Sequence, residues 1–170
     1  MISVSTNRIF RMLVEVVLLA LLTLTLSAPL AGVHAQTNRR AAREQPAIVE
    51  QSDQPALRDY RGVRIGMTAA EARQKLGEPA DKSDAQDYYS FSEQEMAQIF
   101  YDEALKVKAV CVSYLGATAP AAQSVLGVAV APGEGGTIYR LVKYPQAGYW
   151  VSYSRTAGDA PVVTVVMQRL

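Results

Sequence analysis

The sequence predicts an α+β fold of two tandem repeats, each a short helix followed by a three-stranded antiparallel meander, with the helices packed on one face of the sheet. The segment GMTAAEARQKLG at residues 66–77 returns as GATAPAAQSVLG at residues 116–127, with six of twelve positions identical. After each copy, the spacing of apolar residues changes from about four, typical of a helix, to about two, typical of a strand. We therefore assign a first repeat to residues 58–115 and a second to residues 116–170.

Residues 1–35 have the composition of a cleaved signal peptide. Two arginines precede an apolar run at residues 16–26, and Ala35 ends a stretch of short side chains of the kind cut during export. We expect a periplasmic or secreted chain that begins at Gln36. The alternative is an uncleaved membrane anchor, because residues 16–33 approach the length of a bilayer-spanning helix.

Residues 36–57 are predicted to form a flexible linker, because they are rich in charge, Gln and Ala and show no sustained apolar periodicity. Without the predicted signal, the chain carries 15 basic and 15 acidic residues, and hence no net charge. A neutral chain has no general attraction to nucleic acid or to an anionic membrane. The sequence predicts no nucleic-acid partner, and membrane contact only by proximity or through an uncleaved anchor.

The first copy of the repeat has the marks of a short capped helix. Gly66 permits a turn, Thr68 is placed to cap the helix start, and Glu71, three residues later, completes a capping box. Leu76 lies on the docking face, and Gly77 supplies the left-handed position that ends the helix.

The second copy carries matching residues at Gly116, Thr118, Leu126 and Gly127. We expect a helix with the same start and the same end. Helices this short are not stable alone, so each is expected to dock onto the sheet.

Six segments alternate with a period of two and are separated by short polar loops, as in hairpins. They are residues 87–91, 96–102, 107–114, 137–144, 149–155 and 162–169. The alternation places these residues under the helices: Tyr89, Phe91, Ile99, Tyr101, Tyr139, Leu141, Tyr149, Val151 and Tyr153. It places these on the opposite face: Tyr88, Gln98, Phe100, Arg140, Val142, Tyr144, Trp150, Ser152 and Ser154.

The second face mixes aromatic residues with Arg and Ser, and Trp, Tyr and Arg are enriched at binding hot spots. The predicted partner-binding residues are Tyr88, Phe100, Arg140, Tyr144 and Trp150. The alternative is an antiparallel sheet whose second face is merely half exposed.

Nucleophilic and imidazole chemistry has little basis in the sequence. His34 is the only histidine and lies in the predicted signal, so the mature chain has no His base and no His zinc ligand. Cys111 is the only cysteine and cannot form an intramolecular disulfide. We interpret it as a small buried hydrophobic residue, with an intermolecular bridge or a reactive thiol as the alternative.

Three aspartates recur at every third position, Asp81, Asp84 and Asp87. They lack the alternate-position oxygens, central Gly and bidentate Glu of a calcium loop, so a solvated loop is expected. The sequence therefore predicts no catalytic residue, no cofactor and no metal site.

The segment RGVRIGMTAAEARQKLGEP, followed by a Tyr-rich hairpin and KVKAVCV, resembles the BamE-like (SmpA/OmlA) family of bacterial envelope proteins. The shared hallmark is a Gly-Met-Thr turn, a short helix that ends in Leu-Gly-x-Pro, here Leu76-Gly77-Glu78-Pro79, and a small antiparallel sheet. The resemblance spans residues 61–114. With its second copy, the chain is similar to β-lactamase-inhibitor-like proteins, which have two such repeats and bind a partner on a concave sheet face. The lipobox cysteine of the family's outer-membrane lipoproteins is absent here.

The resemblance implies a non-catalytic exported protein-binding module, an envelope scaffold or outer-membrane assembly accessory that binds a protein partner in the cell envelope. A secreted enzyme inhibitor is the alternative that the tandem arrangement suggests. An enzyme ranks lowest, because no histidine and no carboxylate pair is placed for acid and base roles.

Overall fold

An eight-stranded sheet is the framework of residues 48–50 and 55–170, the part of the chain described by the structure, a computed structural model. The strands are β1 (Ile48–Glu50), β2 (Asp81–Lys82), β3 (Gln86–Ser90), β4 (Glu95–Tyr101), β5 (Val107–Leu115), β6 (Ile138–Tyr144), β7 (Tyr149–Arg155) and β8 (Val162–Arg169). The α-helices are α1 (Ala69–Leu76) and the five-residue α2 (Ala122–Leu126). The predicted signal peptide, residues 1–35, lies outside the described residues.

The order of strands in the sheet is β1-β6-β7-β8-β5-β4-β3-β2. Strands β2 to β8 pair antiparallel, and β1 pairs parallel with β6. The two meanders meet where β5 pairs with β8 along seven residue pairs, from Ala109 opposite Gln168 to Leu115 opposite Val162.

The predicted architecture of two helix-plus-three-strand repeats is therefore wrong. The meanders are halves of one continuous sheet, and only α1 is a helix of two turns, since α2 is little more than one. The physical reason is that β5 and β8 would otherwise each present a row of unpaired backbone groups, and pairing them satisfies both edges.

The six long strands lie within one residue of the predicted segments at each end, so that part of the sequence prediction is confirmed. Strands β1 and β2 were not predicted. Part of the linker predicted at residues 36–57 has regular structure, because residues 48–50 form β1. Within the same segment, Pro55 is buried and Leu57 packs against the core.

The capping box of α1 is confirmed. The Thr68 hydroxyl accepts a hydrogen bond from the Glu71 backbone N–H at 3.2 Å, and the Glu71 carboxylate accepts one from the Thr68 N–H at 2.9 Å. Gly66 and Gly77 both have a positive φ, and Leu76 packs against the core. The left-handed conformation predicted for Gly77 is wrong, because its ψ is −163°, an extended value that with φ 84° is open essentially to glycine alone.

The matching cap predicted for the second copy is wrong. Thr118 ends a 3₁₀ turn that begins at Gly116, and α2 starts later, after Ala121, without a side-chain cap. The reason is Pro120, which disfavours the helical region for the residue before it and leaves Ala119 extended, with φ −67° and ψ 141°. The predicted end is confirmed, because Leu126 is the last helical residue and Gly127 is left-handed with φ 70°.

Strand register shows which residues share a face, and the prediction for β6 is one residue out of phase. Val142 lies opposite Val151, and Tyr144 lies opposite Tyr149, so both side chains lie under the helices. Arg140 lies on the same side, opposite Tyr153, whereas Tyr139 and Leu141 lie on the other face. The phase was misread because IYRLVKY carries large side chains at both odd and even positions, so a period of two does not choose between the faces.

Helix α1 is anchored to the sheet by a buried ionic cluster. Asp87 has no exposed surface, and its carboxylate accepts hydrogen bonds from Arg73 Nε at 2.7 Å, Arg73 Nη2 at 2.9 Å and the Tyr101 hydroxyl at 2.6 Å. The solvated loop expected for the three aspartates is therefore wrong for Asp87. Burial and the hydrogen bond to Asp87 raise the pKa of Tyr101, so its hydroxyl stays a proton donor.

Helix α2 and the segment before α1 are held differently, by tyrosine hydroxyls that donate to backbone carbonyls. Tyr144 donates to the carbonyl of Leu126 at 2.9 Å, and Tyr153 donates to that of Pro120 at 3.1 Å. Tyr149 donates to the carbonyl of Leu57 at 2.9 Å. Polar anchors therefore hold both helices and the segment at Leu57 to this side of the sheet.

Candidate functional site

The open face is the side of the sheet away from α1 and α2. Register places one row of its residues across the sheet as Phe100, Ala109, Gln168, Trp150 and Lys143, and the next row as Tyr88, Gln98, Cys111, Val166, Ser152 and Leu141. A third row contains Met96, Ser113, Thr164, Ser154 and Tyr139. Most of these side chains are half-buried, which is usual for the uncovered face of an antiparallel sheet.

Small side chains occupy this face on two of its strands. Strand β5, near the middle of the sheet, presents Ala109, Cys111 and Ser113 in succession, and β7 presents Ser152 and Ser154. Ala109 and Ser152 are each 7% exposed, although they lie on the face away from α1 and α2. The small side chains of β5 therefore form a shallow trough along that strand, and Thr164, Val166 and Gln168 of β8 separate it from β7.

Aromatic side chains lie on both sides of the central strands β5 and β8. Phe100 on β4 and Trp150 on β7 lie in the same row, three strand spacings apart, which corresponds to roughly 14 Å. Tyr88 lies beyond β4 in the neighbouring row, and Tyr139 on β6 is 53% exposed. Ala109 and the exposed Gln168 lie between Phe100 and Trp150 in that row.

The open face carries little charge. Among its register positions on β3 to β8, Lys143 is the one charged residue, and none is acidic. The extra residue of a β-bulge opposite Phe100 and Tyr101 is Lys108, which is exposed beside this face. Acidic residues lie at the two edges of the sheet, where Asp81 on β2 pairs with Tyr88 and Glu50 on β1 pairs with Lys143.

Cys111 lies in the floor of the trough and is half-buried. Burial raises the pKa of its thiol to about 11, so the reactive thiolate is scarce at pH 7. The geometry therefore gives no support to a reactive thiol at this position.

The predicted partner-binding residues divide between the two faces. Tyr88, Phe100 and Trp150 lie on the open face, as expected. Tyr144 is 3% exposed and bonded to Leu126, and Arg140 lies on the helix side with a buried Nε that has no hydrogen-bond partner among the described residues. The placement of Arg140 and Tyr144 on the binding face is therefore wrong.

Sequence reasoning misplaced or overlooked other residues of the open face. Leu141 and Tyr139 were assigned to the helix side, and the run of small residues on β5 was not considered part of a surface. The signal for the second was present, because Ala109, Cys111 and Ser113 alternate with buried valines in KAVCVSY.

Two other site classes find no candidates in the described part of the chain. Within residues 48–50 and 55–170, no three His, Cys, Asp or Glu side chains are grouped in a way that could hold a metal ion. In the same residues, no helix has the length and apolar character needed to cross a bilayer. The absence of catalytic activity stays a prediction.

Comparisons of the chain with protein-family models, with curated proteins and with solved structures give no match. The resemblance of residues 61–114 to the BamE-like family therefore stays a prediction, carried by the motif from Gly66 to Pro79.

Proposed function

We propose that this protein is a non-catalytic exported module that binds a protein partner through the open face of its sheet, as a scaffold or assembly accessory in the cell envelope. The observation that carries the proposal is the placement of Phe100 and Trp150 in one row of the open face, away from α1 and α2. Trp, Tyr and other large rigid side chains concentrate binding energy at protein interfaces, particularly where they border a surface that excludes water.

The aromatic side chains of the two faces differ in their contacts, and this difference supports binding at the open face. Tyr144, Tyr149 and Tyr153 on the helix side each donate a hydrogen bond to a backbone carbonyl and hold the fold together. Trp150, by comparison, lies half-buried on the open face, in the same row as Phe100 and away from these anchors. An aromatic residue with exposed ring surface is available to a partner.

The location in the envelope rests on the sequence alone. Two arginines, an apolar run at residues 16–26 and short side chains up to Ala35 favour export with cleavage before Gln36. N-terminal sequencing of the protein from its native cell tests this part separately, since a chain that starts at Gln36 supports it and an intact N-terminus contradicts it.

The binding face is tested by site-specific photocrosslinking in the native cell. A photoreactive phenylalanine analogue replaces Phe100 or Trp150 on the open face, and the matched control carries it at Gln74, an exposed position on α1. We expect one discrete protein adduct from both open-face positions and none from Gln74.

The double variant Phe100→Ala/Trp150→Ala then tests the energetic role of the two rings. One hot-spot residue is worth at least about 2 kcal/mol, or about 30-fold in affinity, and such values do not add. We therefore expect binding of the crosslinked partner to weaken by at least about 30-fold when both rings are removed. Unchanged binding by the double variant, with circular dichroism showing the native sheet, would reject the open face as the binding surface. The variant Gln74→Ala serves as the control for general effects of substitution.

A further inference from the structure

The turn between β4 and β5 holds a leucine in a backbone conformation that leucine rarely adopts. The Asp102 N–H donates to the Lys106 carbonyl at 2.9 Å, and the Leu105 N–H donates to the Asp102 carbonyl at 2.9 Å. These bonds close a three-residue hairpin loop over residues 103–105. The last residue of such a loop is left-handed and is best served by glycine. Here that residue is Leu105, with φ 54°.

Elsewhere the chain places glycine at left-handed positions. Among the described residues, nine glycines have a positive φ, and the two other residues that do are Arg61 and Leu105. The β6–β7 turn, at the same end of the sheet, has Gly148 at its left-handed position, with φ 75° and ψ 19°. Leu105 is therefore an exception, and its Cβ strains the backbone.

Contacts within the fold explain Arg61 but not Leu105. The Arg61 guanidinium donates to the Glu95 carboxylate at 2.8 Å, and its Cζ lies 4.1 Å from the centre of the Phe91 ring. Leu105, by comparison, is 46% exposed and is not among the residues that pack against the hydrophobic core. The folded chain therefore gains little from a leucine at this strained position.

The turn that presents Leu105 is fixed by hydrogen bonds. One oxygen of the Asp102 carboxylate accepts from the backbone N–H groups of Ala104 at 3.0 Å and Lys106 at 2.8 Å. The other oxygen accepts from Arg169 Nη2 at 2.8 Å, which ties the turn to the end of β8. An apolar side chain on a preorganised turn loses little conformational entropy when it binds, so the turn suits recognition.

This turn lies at the end of the sheet that carries the two open-face rings. Phe100 is the last but one residue of β4, and Trp150 is the second residue of β7. The loop begins three residues after Phe100, roughly 10 Å along the strand. An interface of ordinary size buries about 800 Å² on each partner, which is wide enough to include both rings and the turn.

We propose that Leu105 is a partner-contact residue that enters an apolar pocket of the protein bound at the open face. The inference rests on the proposed function, because it takes the open-face partner as the occupant. Glu103 and Lys106, exposed on either side of the apolar tip, give the turn no net positive charge. An anionic membrane surface would therefore not attract it, which favours a protein as the partner.

The first test measures stability and needs no partner. Leu105→Gly relieves the left-handed strain and removes no core contact. Ala104→Gly is the matched control, since it adds the same flexibility at an exposed position of the same turn where φ is not positive. We expect Leu105→Gly to melt about 2–5 °C above Ala104→Gly. An equal or lower melting temperature would show that the fold needs the leucine and would overturn the proposal.

The second test measures binding of the protein that crosslinks to Phe100 and Trp150. A diazirine-bearing aliphatic amino acid at position 105 of the full chain, in the native cell, should capture the same protein. Leu105→Gly should weaken binding of that protein at least about tenfold, as expected for loss of one buried leucine side chain. Leu105→Met keeps a long apolar side chain and should bind within about threefold of the wild type, as should Ala104→Gly.

The outcomes separate this inference from the proposed function. Capture at Phe100 and Trp150 combined with wild-type affinity of Leu105→Gly would overturn the inference and leave the open-face proposal standing. Capture of lipid, or of a second copy of the chain, at position 105 would also overturn it. No adduct from any of the three positions would contradict the proposed function and this inference together.

Discussion

The two faces of the sheet are built from the same six long strands, but their side chains serve different ends. On the helix side, polar side chains are buried and bonded, as in the Asp87 cluster and the Tyr144 and Tyr153 hydrogen bonds. On the open face, Trp150 and Phe100 lie in one row, on the side of the sheet away from α1 and α2. Successive residues of a strand point to opposite faces of the sheet. Substitution of a residue on the helix side should therefore reduce stability, whereas substitution of its neighbour on the open face should reduce binding.

The largest expected loss of stability comes from the buried ionic cluster. Asp87→Ala leaves the Arg73 guanidinium and the Tyr101 hydroxyl without their acceptor, and breaking such a pair costs roughly 3–5 kcal/mol. Because the Arg73 side chain is 26% exposed and can recover some hydration, we expect the lower end, about 3 kcal/mol. Urea unfolding measures it.

The matched control for that change is Asp84→Ala, because Asp84 lies three residues before Asp87 and is exposed in the structure. It should alter the free energy of unfolding by less than about 0.5 kcal/mol. Equal losses from Asp84→Ala and Asp87→Ala would contradict the anchoring role of Asp87.

The next effect compares the two copies of the repeat. Thr68→Ala removes the capping box of α1 and should cost about 1 kcal/mol, whereas Thr118→Ala removes no helix cap and should cost less than half of that. Thermal unfolding of both variants measures the difference. Similar losses from the two substitutions would mean that Thr118 stabilises the second copy in a way that the structure does not show.

An effect of similar size to that of Thr68→Ala is expected from a tyrosine hydroxyl on one face of β6 and not from one on the other face. Tyr144→Phe removes the hydrogen bond to Leu126 and should cost about 1 kcal/mol. Tyr139 lies on the open face of β6, so Tyr139→Phe should leave the free energy of unfolding nearly unchanged. A larger loss from Tyr139→Phe than from Tyr144→Phe would place β6 in the opposite phase.

The smallest effect is a pH dependence at the segment before α1. Burial raises the pKa of Glu95, but hydrogen bonds from Arg61 and Tyr60 outweigh it and hold that pKa below its ordinary value. Since the folded-state pKa is lowered, the stabilisation is complete above the unfolded value of about 4.3 and is lost as the pH falls through the folded value.

Glu95→Gln tests this dependence through urea unfolding at a series of pH values from 3 to 7. The stability of the wild type should fall more steeply below about pH 4.5 than that of Glu95→Gln. Parallel curves for the two proteins would show that Glu95 does not contribute to the acid sensitivity.

Much of the local structure was predictable from the sequence, because it depends on neighbours in the chain. The capping box of Thr68 and Glu71 and the spans of the six long strands belong to this class. The pairing of β5 with β8 was not predictable, since strands more than forty residues apart leave no local pattern that specifies their partner.

The candidate site was predictable only in part, for the same reason. Alternation placed Tyr88, Phe100 and Trp150 correctly, but β6 has large side chains in both phases, and the residue that fixes its phase, Val142, does so through contact with Val151 on β7. Asp87 was expected in a solvated loop because its partner, Arg73, lies fourteen residues away on a helix.

The central claim is that the open face binds the partner and that the helix side stabilises the fold. One paired measurement on the double variant Phe100→Ala/Trp150→Ala tests it most directly. Its affinity for the crosslinked partner and its free energy of unfolding are measured in the same preparation. We predict a loss of affinity of at least about 30-fold, with a smaller loss of stability than that of Asp87→Ala. Full affinity in the folded double variant would contradict the claim.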